Sequence, residues 1–162
     1  MVIRRWRDRD RRDHSVPAPA SPPEQYRKYR MSLASSWSAA KVSRRITVTV
    51  LTGWGVHPKT TVHDAAVLAV TELVTNTVRH AQSRSPFFEL LLVVTDTHLE
   101  VGVGDNHPGL QDLPEEGDTG GLAVVADLAR HLSGGLTIRP GPNGGKTLLV
   151  RLPLTPSAAT PE

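Results

Sequence analysis

The stretch Val70-Thr71-Glu72-Leu73-Val74-Thr75-Asn76-Thr77-Val78-Arg79-His80-Ala81 decides how this chain is read. Wound as a helix, it sets Glu72, Asn76 and His80 at successive i, i+4 positions along one polar stripe. Ala66, Ala69, Val70 and Leu73 supply an apolar stripe on another face. Such a helix packs on a core and serves a site at once. Thr61 and Asp64 have the spacing of a capping box, with Asp64 in place of the usual Glu, and place the helix start just ahead of this stretch. Ser83-Arg84-Ser85-Pro86 ends it.

Working outward, residues 87–95 and 98–104 are rich in β-branched and apolar side chains, and the short polar link between them predicts an antiparallel pair. A loop rich in Gly, Pro and acids covers residues 106–120. Leu122, Val125, Leu128, Ala129 and Leu132 then mark a second helix, closed by Gly134 and Gly135. Residues 136–139 and 146–152 read as strands around the turn Gly141-Pro142-Asn143-Gly144-Gly145. Toward the N-terminus, Tyr29, Met31 and Leu33 alternate with polar residues as in a strand with one buried face. Residues 37–52 are ambiguous: Ala39, Val42, Ile46 and Val50 have helical spacing, yet 46–50 is a β-branched run. The sum is an α/β two-layer sandwich in which about three helices cover one face of a mixed sheet.

At 162 residues the chain suits one domain. We expect a folded unit over residues 26–154, preceded by a disordered basic and Pro-rich arm over 1–25 and followed by a disordered tail over 155–162. Six arginines and three aspartates within residues 1–13 carry the whole net charge of +3, leaving 13 basic and 13 acidic residues for the rest. A neutral domain is a poor candidate for direct nucleic-acid binding. There is no cysteine, hence no disulfide framework or thiolate metal site. Apolar runs are too short to span a bilayer and no signal core follows the N-terminal arginines, so the expectation is a cytoplasmic protein without a membrane segment.

Several motifs fail. Gly144-Gly145-Lys146-Thr147 resembles the end of a phosphate-binding P-loop, but Pro140 stands where the first glycine belongs and a strand follows instead of a helix. Gly102-Val103-Gly104 begins a dinucleotide fingerprint that His107 breaks. Neither a His-Glu-x-x-His zinc pattern nor a Gly-x-Ser-x-Gly elbow occurs.

Three segments carry chemistry. On the helix, the Asn76 amide oxygen is a hard neutral ligand of the kind that suits Mg²⁺, an ion that takes its other ligands from water and substrate phosphates. Glu72, one turn earlier, is placed to accept a proton from an attacking hydroxyl. A solvated helix face would show the same spacing. In Leu99-Glu100-Val101-Gly102-Val103-Gly104-Asp105-Asn106-His107-Pro108-Gly109, strand alternation aims Asp105 to the core side, where an adenine amino group and a bridging water would satisfy its carboxylate. A plain turn aspartate is the simpler alternative. In Gly120-Gly121-Leu122 a flexible loop enters a helix, leaving backbone N–H groups free for phosphate.

In this order the three segments resemble the N, G1 and G2 boxes of the ATP-binding superfamily of gyrase, heat-shock-90 and histidine-kinase domains, whose fold is the Bergerat sandwich. The Trp54-Gly55 pair, Glu72-Leu-Val-Thr-Asn76, Arg79-His80-Ala81 and the ending Gly145-Lys-Thr-Leu look most like the anti-sigma-factor serine kinase branch. The resemblance implies a helix over residues 37–52. It further implies Glu72 as catalytic base, Asn76 as Mg²⁺ ligand and Asp105 as adenine anchor. His80, Gly109, Gly120, Gly121, Leu122 and Thr147 join them in the nucleotide pocket and lid. It implies ATP and Mg²⁺ as cofactors, a sigma factor and its antagonist protein as partners, transfer of phosphate to a serine of the antagonist, and a possible homodimer.

Two departures stand out. His107 replaces the first glycine of Asp-x-Gly-x-Gly, and Gly120 stands where many relatives carry arginine. The lid offers Asp112, Glu115, Glu116 and Asp118 without one Lys or Arg, although a triphosphate calls for positive charge. A partner-binding module with little nucleotide affinity, and a detached histidine-kinase catalytic domain, are the competing readings. All of them assume that Asn76 and Asp105 face one nucleotide cavity.

Overall fold

The computed structural model describes residues 25–81, 83–108 and 112–154. The two expected disordered arms and Gly109 lie outside the described residues, Gln25 apart. Among these residues the order is β1 (Arg27–Ala34), α1 (Ala39–Gly53), α2 (Thr61–Ala81), β2 (Phe87–Val94), β3 (His98–Asp105), α3 (Gly121–His131), β4 (Gly135–Pro140), a single 3-10 turn (Pro142–Gly144) and β5 (Lys146–Pro153). The strands form one sheet in the order β1-β2-β3-β5-β4, and every pairing is antiparallel.

The two-layer sandwich stands as expected, with one correction: the sheet is antiparallel throughout and not mixed. β3 and β4 do run in the same direction, since each opposes β5, but β5 inserts between them. The crossover through α3 therefore never produces a parallel ladder.

α2 is the centre of the helical layer and packs against α1, α3, β3 and β5. Its apolar stripe is fully realised, with Ala66, Ala69, Val70, Leu73 and Val74 at most 1% exposed. The inward residues of the sheet meet it: Leu90 and Leu92 from β2, Leu99, Val101 and Val103 from β3, Leu148, Val150 and Leu152 from β5. Each such leucine or valine contributes about 1.5–3 kcal/mol by leaving water.

The segment that pattern left undecided is helical, and of its expected stripe Ala39 is buried and Ile46 and Val50 are partly buried against the core. Ala39, Ser43, Thr47 and Leu51 face inward, while Val42 is 42% exposed. The Thr47 hydroxyl donates to the Ser43 carbonyl at 2.8 Å, which satisfies it within the helix.

The start of α2 also shifts by one residue. Thr60, not Thr61, caps it: the Thr60 Oγ1 accepts from the His63 N–H at 3.3 Å and the Thr60 carbonyl takes the first helical bond from the Asp64 N–H. At the end of α3 the left-handed position belongs to Ser133 (φ 61°), and Gly134 is needed for a different reason, since a Cβ there would fall on the Arg151 carbonyl oxygen of β5. β1 is a shallow edge strand, with Tyr29 and Leu33 half-buried and Met31 39% exposed. It is tied to β2 by Arg30 Nε and Glu89 Oε2 at 2.6 Å, a bond that raises the arginine above its ordinary pKa through the hydrogen bond first and the opposite charge second. Among the described residues no helix is long and apolar enough to cross a membrane.

Candidate functional site

The polar stripe of α2 faces the lid and the start of α3. Asn76 and His80 line a cavity of about 310 Å³ together with Asp112, Asp118, Gly120, Gly121 and Leu122. Glu72 sits one turn deeper, its carboxylate against the Cα of Gly121, where a Cβ would collide with it. Gly120 has φ 110°, a conformation that L side chains rarely adopt, so the chain turns into α3 by a route that suits glycine. An arginine before the Gly-Leu pair would be strained in this conformation.

These features bring together five of the residues singled out from sequence: Asn76, His80, Gly120, Gly121 and Leu122, with the Glu72 carboxylate against Gly121. α3 leaves its first N–H groups without a side-chain cap, the arrangement that accepts phosphate oxygens. Among the described residues there is no cluster of three acidic, histidine or cysteine side chains able to hold a metal alone. An ion here would lean on one protein amide oxygen and on substrate phosphates, as Mg²⁺ does. Asn76, lining one cavity with the start of α3, fits that group.

Arg79 was not singled out from sequence as a site residue, yet it lines the same cavity. Positive charge thus comes from α2 and not from the lid. Its signal was present in the spacing, three residues beyond Asn76 and so on the same side of the helix.

The second end of the site differs from expectation. Asp105 is buried on the helix-facing side of β3, as alternation predicted, but its partner is Lys146 of β5, directly across the ladder. Lys146 Nζ lies 3.3 Å from Asp105 Oδ1, with the side chains 6% and 3% exposed. Oδ1 also accepts from the His107 N–H at 2.9 Å, so the residue that replaces the first glycine of this loop serves Asp105 through its backbone. Asp105, Lys146 and Thr147 line a separate cavity of about 170 Å³. Among the described cavities, Asn76 and Asp105 therefore do not share one, and residues 109–111, which follow Asp105 toward the lid, lie outside the described residues.

Thr147 points away from the helices. It pairs with Gly104 in the ladder, and a Cβ on Gly104 would come within 3.0 Å of the Thr147 Oγ1. The inward residue at this end of β5 is Lys146, in line with Leu148, Val150 and Leu152. Gly145 just before it is required by packing, because a Cβ there would fall on the Asp105 carbonyl oxygen.

The chain thus sets a helical layer on an antiparallel sheet, with a polar helix stripe facing a glycine-started helix. The family model described as histidine kinase-, DNA gyrase B- and HSP90-like ATPase matches residues 61–156, more than half of the chain. The chain belongs to that ATPase family.

Among solved structures, the chain is similar to the RsbU and RsbW domains of a Mycobacterium tuberculosis protein, with 18% identity, TM-score 0.55 and coverage of 83% of this chain and 35% of that one. It is also similar to the histidine kinase domain of a blue-light activated histidine kinase from Erythrobacter litoralis, with 28% identity, TM-score 0.48 and coverage of 58% of this chain and 45% of that one. A third is the ATP binding domain of PrrB from Mycobacterium tuberculosis, with 20% identity, TM-score 0.47 and coverage of 76% of this chain and 96% of that one. The chain thus spans less than half the length of the first two. No curated protein matches it.

Proposed function

We propose that the chain is an ATP-dependent protein serine kinase that regulates a sigma factor, passing the γ-phosphate of ATP to a serine of an antagonist protein. The observation that carries this reading is the contact between the Glu72 carboxylate and Gly121 at the start of α3, which sets a proton acceptor where a helix N-terminus would hold phosphate. Membership of the ATPase family supports the nucleotide, and the resemblance of Glu72-Leu-Val-Thr-Asn76 and Arg79-His80-Ala81 to anti-sigma-factor kinases supports the serine acceptor and the partners.

In this reading Glu72 accepts the proton of the incoming serine hydroxyl. The serine oxygen bonds to the γ-phosphorus while the bond from that phosphorus to the bridging oxygen breaks, and ADP leaves. Asn76 would hold Mg²⁺, which when bound neutralises charge on the phosphates. Arg79 and the α3 N–H groups position the phosphate chain, with His80, Gly120 and Leu122 along its path. Asp105 is the proposed adenine anchor from a cavity that is separate from that of Asn76 among the described residues, with Thr147 lining the same cavity as Asp105, and Gly109 is assigned to the lid by the family resemblance alone.

Titration calorimetry with ATP, with and without Mg²⁺, followed by transfer from γ-labelled ATP to an antagonist serine, tests this. Asn76→Ala should weaken Mg-ATP about 10- to 100-fold. Absence of any heat with Mg-ATP, combined with a stable complex with a partner protein, would replace the kinase by a binding module. The acidic residues Asp112 and Asp118 in the Asn76 cavity favour that second reading. Acid-labile label on a partner histidine would instead identify a detached histidine-kinase catalytic domain.

A further inference from the structure

Lys146 is a buried cation that the proposed chemistry does not use. The inward face of β5 reads Lys146, Leu148, Val150, Leu152, and the three apolar residues are core. A lysine ending that row is costly to bury, and an ion pair with Asp105 does not of itself make up the loss, since apolar replacements of such pairs are often equally stable. The geometry of the pair suggests another use. Lys146 Nζ and Asp105 Oδ1 lie side by side at 3.3 Å. Among the described residues that contact is the ammonium's single hydrogen bond, and Asp105 Oδ2 makes none. The pair thus presents an unfilled N–H direction next to an unfilled carboxylate oxygen.

That donor and acceptor in adjacent positions complement one edge of adenine. The exocyclic amino group at C6 donates and the neighbouring ring nitrogen N1 accepts. We propose that Lys146 is a base-reading residue: its ammonium donates to purine N1 while Asp105 accepts from the amino group, so the two side chains together select adenine. The inference rests on the reading of Asp105 as the adenine anchor. Guanine places an N–H at N1, a donor against a donor, and is rejected by the same arrangement.

The test uses the intact protein and two nucleotides. 1-Deaza-ATP replaces N1 by C–H and leaves the amino group and triphosphate intact. Wild-type protein should bind it about 10- to 100-fold more weakly than ATP, the range for losing a hydrogen bond to a charged group. In Lys146→Met the two nucleotides should bind within about 2-fold of each other, and GTP should gain relative to ATP. Lys146→Gln, which keeps a neutral donor and guards against misfolding of the Met variant, should discriminate at an intermediate level; circular dichroism verifies folding of both variants.

Equal binding of ATP and 1-deaza-ATP by the wild type overturns the proposal while leaving ATP binding in place. Full discrimination retained in folded Lys146→Met also overturns it and assigns N1 to a water molecule. Failure of the wild type to bind ATP overturns this inference and the nucleotide reading together.

Discussion

The Glu72 carboxylate of α2 lies against the Cα of Gly121 at the first turn of α3, and a side chain at 121 would have to displace it. Two segments separated by almost fifty residues thus meet at one point, the proposed position of the catalytic base, and the smallest possible side chain probes it. The colliding atoms are the far end of a flexible side chain, so Gly121→Ala should move the carboxylate without unfolding the domain. Thermal melting should stay within about 5 °C of wild type, while phosphate transfer falls about 100-fold from misplacement of the base. Unchanged transfer in this variant would remove Glu72 from the reaction.

Replacing the carboxylate by its neutral isostere separates binding from chemistry. Glu72→Gln keeps size and position but accepts no proton. ATP affinity measured by calorimetry should change by less than about 3-fold, because the proposed phosphate contacts are Asn76, Arg79 and the helix start, while the transfer rate drops about 10²- to 10⁴-fold. Equal losses in affinity and rate would make Glu72 a binding residue.

Much of this was legible in the sequence, and the misses have physical reasons. The α2 stripe was readable because Ala66, Ala69, Val70 and Leu73 follow one helical face and pack on the sheet as that face requires. In α1 hydrophobicity found Ala39, Ile46 and Val50 but not the buried Ser43 and Thr47, whose polar side chains give no hydrophobic signal, and Val42 is exposed. The inward placement of Lys146 is readable from its parity with Leu148, Val150 and Leu152, which also aims Thr147 outward. The insertion of β5 between β3 and β4 had no local signal, because strand order is set by tertiary packing. That Asn76 and Asp105 line different cavities is likewise a tertiary result that periodicity does not reveal.

The one-residue correction at the start of α2 can be weighed directly. Thr60→Ala removes the Oγ1 that accepts from the His63 N–H and also the hydroxyl that donates to the His57 carbonyl at 2.8 Å. Urea denaturation should show a loss of about 1 kcal/mol. Thr61 is exposed and lies inside the first turn, so Thr61→Ala should change stability by no more than about 0.5 kcal/mol. The reverse order of effects would restore Thr61 as the cap.

The Asp105–Lys146 pair makes a prediction for stability that is independent of nucleotide. Both side chains are more than nine-tenths buried, so removing one partner strands the other charge away from water. Asp105→Ala should cost about 3–5 kcal/mol in urea unfolding, and Lys146→Met a comparable but smaller amount, because the carboxylate keeps the His107 N–H. The double replacement Asp105→Leu with Lys146→Met removes both charges and should recover most of the loss. Recovery would mean that the fold tolerates an apolar pair here, leaving the charges to be explained by what they bind. Additive losses in the double variant would instead make the ion pair part of what holds β3 against β5.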